Sequence, residues 1–280
     1  MNSSVSYIAI IAAFGMMGSA AIAADAPANF EEKFDGVQPA VSAINGKIEA
    51  AYTYIDVDNV GDTNMGDLAG SIAYPVGERF GLQFDAGVAT ANDLGTGFGA
   101  GLHAFWRNPE TALLGFYGDV VRYDTDFGPD ITTWRYGAEA ELYLDRVSLE
   151  GFVGGDTIDA GGSNESFFSA EAMAAFYVTD DFRLHAGVGH RFDDTFGRIG
   201  AEAMLPFASR NVALFGDGTF GDDVLTARAG VRVYFGEAGK SLKDRHRQDD
   251  PRIRLFDVFG GSFESDETDY KPPCPSEGCT

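Results

Sequence analysis

The sequence predicts an all-β protein, a transmembrane antiparallel up-and-down β-barrel, and three observations carry that reading. Gly (36), Phe (23) and Tyr (11) are abundant while Pro numbers only 10 in 280 residues, a composition suited to many strands joined by turns. Twelve segments between Asn45 and Phe235 alternate apolar and polar side chains with a period of two. Most have the roughly 9 to 11 residues that a tilted membrane strand needs, against about 5 or 6 for a soluble strand.

The segments run over 45–56, 65–76, 80–90, 97–107, 112–122, 131–144, 147–157, 165–178, 182–191, 197–207, 211–219 and 224–235. Ten staves is the alternative, should 45–56 and 211–219 not be separate strands. In "FGLQFDAGVA", Phe80, Leu82, Phe84, Ala86 and Val88 share one face and Gln83 and Asp85 the other. "TWRYGAEAELYL" sets Trp134, Tyr136, Ala138 and Ala140 against Arg135, Glu139 and Glu141. The last segment, "VLTARAGVRVYF", directs Leu225, Ala227, Ala229, Val231, Val233 and Phe235 to lipid and Arg228 and Arg232 to the lumen, with Tyr234 and Phe235 expected in an interfacial aromatic girdle.

Five connections are tight, around Gly77-Glu78-Arg79, Asn108-Pro109-Glu110, Asp145-Arg146, Thr179-Asp180-Asp181 and Ser209-Arg210. Six others, 57–64, 91–96, 123–130, 158–164, 192–196 and 220–223, are generally longer. Short periplasmic turns and longer external loops are the pattern of bacterial outer-membrane barrels. "FGLQFDAG", "HAFWRNPETALLGFYGD", "YGAEAELYLDRVSLEGF" and "KSLKDRHRQDDPR" resemble an uncharacterised family of porin-like proteobacterial outer-membrane β-barrels. The resemblance implies that architecture and location in the bacterial outer membrane, and names no substrate.

Residues 1–24 read as a signal peptide, an apolar run ending in small residues; a retained anchor is the alternative, because the n-region has no Lys or Arg. Residues 25–44 are expected to form a periplasmic lead-in. Residues 236–280 are expected to form a periplasmic, mostly disordered tail. In that tail Ile253, Leu255, Phe256, Val258 and Phe259 supply an apolar anchor for a possible periplasmic partner, or else the tail folds back over the mouth. Cys274 and Cys279 lie too far C-terminal to staple the barrel, and a small disulfide loop or two free thiols are both compatible with the spacing.

A net charge of −23 argues against nucleic-acid binding. The six longer connections hold eleven Asp and no Lys or Arg, whereas Arg79, Arg107, Arg146, Arg183 and Arg210 flank the tight turns. Such rims suit an acidic mouth facing lipopolysaccharide and basic side chains that snorkel toward lipid headgroups. On the inward face, Lys47, Arg183, Arg191, Arg198, Arg228 and Arg232 are expected to form a basic wall, with Asp85, Asp119, Glu139, Glu141, Glu150, Asp156 and Glu171 an acidic wall opposite. Glu202 and Asp217 interrupt the basic half.

That pattern suggests a transverse field across a narrow channel for passive diffusion of small hydrophilic solutes. A filled lumen with a periplasmic tether is the alternative. A lipid hydrolase is less favoured: no G-x-S-x-G or H-E-x-x-H is present, and strand register separates Ser169 from His185. No catalytic residue, cofactor or metal site is expected, and the solute partners are small and hydrophilic.

Overall fold

The computed structural model describes residues 38–58, 61–92, 95–125, 128–206, 210–222, 224–249 and 251–257. The signal peptide, most of the lead-in, Val258, Phe259 and both cysteines lie outside them.

Twelve antiparallel strands close into one barrel. They are β1 (Asn45–Val57), β2 (Gly61–Val76), β3 (Phe80–Ala91), β4 (Gly95–Asn108), β5 (Ala112–Asp124), β6 (Ile131–Leu144), β7 (Val147–Ala160), β8 (Ser163–Thr179), β9 (Phe182–Arg191), β10 (Asp194–Met204), β11 (Val212–Phe220) and β12 (Val224–Phe235). Each strand pairs with its neighbour in sequence, and β12 returns to β1 with Glu49 opposite Arg232 and Thr53 opposite Arg228. Closure leaves no unpaired edge, as a membrane interior requires of β structure. The ten-stave alternative is excluded, since both β1 and β11 take full places in the ring.

Several strands run further toward the longer connections than the alternation indicated, so those connections shrink. Phe192 and Asp193 have φ of 51° and 60°, and Gly161 and Gly162 have φ of 60° and 88°. Two successive left-handed residues make the primed hairpin turn whose twist matches the flanking strands. β10 is displaced from the expected 197–207 to 194–204. It stops before Pro206, which has no N–H to give a ladder.

The faces are inverted relative to a soluble protein. Phe116 is 73% exposed on the outer face, while Arg107 is 0% exposed inside. Charges facing lipid at mid-depth would cost roughly 2–4 kcal/mol each for Arg or Lys, so the pleat sends them inward. Outward aromatics ring both ends: Tyr74, Phe80, Phe176 and Phe235 near the tight turns, Phe98, Trp134 and Phe220 toward the other rim. Tyr234 does not join that girdle. It points inward, 2% exposed, and its hydroxyl donates to Glu202 at 2.8 Å.

The region after β12 also departs from expectation. Residues 242–248 form a short helix, α1 (Leu242–Gln248), N-capped by Ser241. Residues 251–257 then run inside the barrel as an irregular strap. Mixed charge in this stretch reads as an unfolded tail, but those charges find partners on the lumen wall, and Ile253, Leu255 and Phe256 are buried.

Candidate functional site: the lumen and its strap

The inward pleat brings all the expected wall residues to the lumen, but not as two separate fields. Glu49 on β1, missed in the sequence, sits within the basic half and binds Arg232 at 2.7 Å and Arg228 at 3.1 Å. Arg228 also reaches Asp67 at 2.7 Å, and Arg232 reaches Glu202 at 2.7 Å. Lys47 does not sit beside these arginines as a free charge; its Nζ donates to the Pro251 carbonyl at 2.7 Å.

Other pairs tie the two halves together. Arg183 binds Glu150, Arg191 Nε donates to Asp156 at 3.2 Å, and Arg198 lies 3.5 Å from Glu171. Each of these partners is two strands away around the ring. The acidic half in turn contains Arg135, 3.3 Å from Asp156, and Arg107. The transverse separation of charge is therefore largely cancelled by local pairing. Period-two alternation marks Glu49 with Lys47 and Asp67 with Ser71, so both were accessible to the same reading.

The remaining acidic residues are held by neutral or weakly basic donors. His103 lies between Glu139, 2.8 Å from Nδ1, and Asp85, 3.1 Å from Nε2. Gln83 donates to Asp85, Tyr117 to Asp119 and Tyr143 to Glu141, at 2.7, 2.6 and 2.7 Å. His185 is paired with Asp217 at 2.7 Å, while Ser169 hydrogen-bonds Asp156. Ser169 and His185 are thus engaged separately.

The rims also differ from the sequence expectation. Arg107 and Arg183 point into the lumen rather than toward headgroups; Arg107 donates to the carbonyls of Ala40 and Asp249. Arg146 and Arg210 bind turn segments, through the Val178 carbonyl and Asp181. At the opposite rim Arg122, on β5 beside the loop, is held by Asp124 at 3.0 Å and Asp130 at 2.6 Å. Asp62, Asp124, Asp159 and Asp194 belong to strand ends rather than loops.

Both N- and C-terminal segments fill the end with the tight turns. Val41 packs with Ala73, Phe105, Leu113 and Tyr143, and Leu242 of α1 with Met204, Ala213 and Tyr234. Asp249 is the knot: its carboxylate accepts from Ser42 at 2.9 Å and Lys240 at 2.6 Å. His246 of α1 contacts the hydroxyls of Tyr177 and Tyr234 at 3.0 and 3.2 Å. Its imidazole is held below the usual histidine range, because burial, with Arg183 and Arg232 nearby, outweighs the pull of Glu202.

Beyond Asp249 the strap crosses toward the other mouth. Arg252 and Arg254 both donate to Glu171, at 3.3 and 3.0 Å. Arg254 also lies over the Phe152 ring, 5.5 Å from its centroid. Ile253, Leu255 and Phe256 join Ile55, Met65, Val121, Tyr123, Phe192 and Val224 in an apolar cluster under the loops. Beside the strap lies a cavity of about 90 Å³ bounded by Arg183, Arg198, Arg228 and His185. That is room for a few water molecules.

No family model matches the chain. No curated protein matches it either. Among solved structures it is similar to the KdgM porin in complex with disordered oligogalacturonate, at 10% identity and TM-score 0.53, over 68% of this chain and 99% of that one. The KdgM porin alone gives TM-score 0.50 at 10% identity, over 67% and 99%. The fold is that of a porin-like outer-membrane β-barrel. An outer membrane channel from Pseudomonas putida F1 is also similar, at 13% identity and TM-score 0.49, covering 72% of this chain and 98% of that one.

Proposed function

We propose that this protein is an outer-membrane channel for passive diffusion of small hydrophilic solutes, closed at rest by its own C-terminal strap. The observation that carries the reading is the composition of the barrier. Around Lys47, Glu171 and Arg191 the wall behind the strap is charged and hydrogen-bonding, and it is apolar under the loops, so displacing the strap together with α1 leaves a wet passage. With the strap in place, the cavity beside it measures about 90 Å³. In this reading the tight turns and α1 face the periplasm.

Once the strap is displaced, the carboxylates of Glu141 and of Glu171, the latter freed of Arg252 and Arg254, favour cationic or zwitterionic solutes. The ligand of the similar KdgM porin, an oligogalacturonate, is a polyanion, and those carboxylates would repel it. The chemistry is passive, with no turnover: the hydroxyl and imidazole groups a hydrolase would use, Ser169 and His185, are separately engaged.

A second reading, a filled barrel that acts only as a structural or docking element, is favoured by the small cavity and the density of ion pairs. Planar-bilayer recording separates the two. The native chain is expected to be silent or to flicker, and a full-length Arg252→Ala/Arg254→Ala variant to show reproducible steps. Silence of both supports the filled barrel.

A further inference from the structure

The strap is bound in the manner of a ligand. Side chains of the wall donate to its main-chain carbonyls at three points: Arg107 to Asp249 at 2.8 Å, Lys47 to Pro251 at 2.7 Å and Arg191 to Asp257 at 2.7 Å. Carbonyl recognition of this kind reads a peptide backbone whatever its sequence. Specificity comes from two other features. Glu171 receives both guanidinium groups, Arg252 being paired as well with Asp257 of the strap itself, an acidic seat for two basic residues separated by one.

The wall is also hollowed for the apolar side chains. A Cβ at Gly87 would stand 2.6 Å from the Phe256 ring, and Cβ atoms at Gly99 and Gly101 would lie 3.3 and 3.4 Å from Leu255. Leu255 is fully buried there. Gly87 thus belongs to the seat itself, because any side chain at that point would displace Phe256.

We propose that the lumen is a binding site for short peptides of the pattern basic, any residue, basic, apolar, aromatic, and that Asp249 and residues 251–257 are its tethered occupant. The inference rests on the reading of the lumen as a solute path and names the class of solute. A free peptide of this pattern competes for the seat, and the tether, by its high effective concentration, keeps the passage closed until one arrives.

The test uses the full chain in detergent. A fluorescent nonapeptide with the sequence of residues 249–257 is titrated against the Arg252→Ala/Arg254→Ala variant, whose own strap holds its seat weakly, with anisotropy as the readout. Saturable binding is expected, at least tenfold tighter than for the same peptide with both arginines replaced by glutamine. It should also be at least tenfold tighter than binding to the native chain. Adding Glu171→Gln to the variant should remove the preference for arginine. Equal binding of the two peptides, or a preference that survives Glu171→Gln, overturns the proposal and leaves the strap a structural plug only.

Leu255→Ala, which keeps both arginines and loosens only the apolar seat, carries the same titration should the double variant not fold. It is expected to bind the arginine peptide more tightly than the native chain does, and no difference counts against the proposal. Binding is read without transport, so the two claims fail separately. Peptide binding in a variant that never conducts overturns the channel, whereas conductance without arginine preference overturns the peptide site.

Discussion

The two halves of the lumen wall differ in what they face. On β3, β4, β7 and β8, glycines 87, 99 and 101, Phe152 and Glu171 receive the strap, so this half is used up in contact with the chain itself. On β9 to β12 and β1, arginines are neutralised by Glu49, Asp67 and Glu202 and border the remaining cavity. One half seats the strap's side chains; the other lines the cavity and holds the strap through Lys47, Arg191 and Arg198. The difference teaches that charge in a barrel interior does not by itself announce a conduit: the same residue types serve to hold a plug on one side and to hydrate a crevice on the other.

The largest effect is expected at the binding half. Leu255→Asp places a carboxylate in a fully buried apolar seat, which should cost strap docking about 2 kcal/mol or more. Residues 249–257 should become cleavable by added protease at least tenfold faster while the barrel stays resistant. Glu171→Gln is next: it removes the carboxylate that Arg254 and Arg252 share, Arg252 keeping Asp257, and loss of the Arg254 pair costs roughly 3 kcal/mol before relaxation. The same digestion reads it, and protection equal to that of the native chain would contradict the role given to Glu171.

At the lining half, Arg228→Glu should shift reversal potential toward cation selectivity once the strap is displaced, and change little while it is docked. The same substitution should weaken the Glu49 and Asp67 contacts without releasing the strap.

Acid gives a smaller effect, through His246. Its ring faces Tyr177 of β8, Glu202 of β10 and Tyr234 of β12, with Arg183 and Arg232 close by, and burial holds its pKa below the ordinary value near 6.5. A depressed histidine favours the docked helix above the unfolded-state pKa and loses that contribution as pH falls below it. Channel opening should therefore rise between pH 7 and pH 5, and His246→Gln should flatten the rise. The smallest effect is at the outer rim, where Arg122→Ala removes an exposed pairing and should leave both strap protection and conductance unchanged.

The barrel was legible because its signal repeats. A period of two sustained over nine or more residues identifies each strand and its faces, and the tight turns set the phase for the next. Boundaries slipped where local chemistry intervened, as at Pro206. The strap was hidden for the opposite reason. Arg252, Ile253, Arg254 and Leu255 alternate over only four residues, amid charges of both signs, a pattern that also fits a solvated linker. The cancellation of the walls was hidden too, since Arg183 and Glu150, or Arg198 and Glu171, meet across an intervening strand. Sorting charges strand by strand cannot reveal partners that barrel closure brings together.

The central claim is that the strap, and not the barrel, closes the passage. Single-channel recording in planar bilayers tests it most directly, comparing the native chain with full-length Arg252→Ala/Arg254→Ala at the same protein density. The account predicts a quiet native chain and stable, reproducible steps in the variant. Equal silence of both, with folded barrels demonstrated in each, would contradict it.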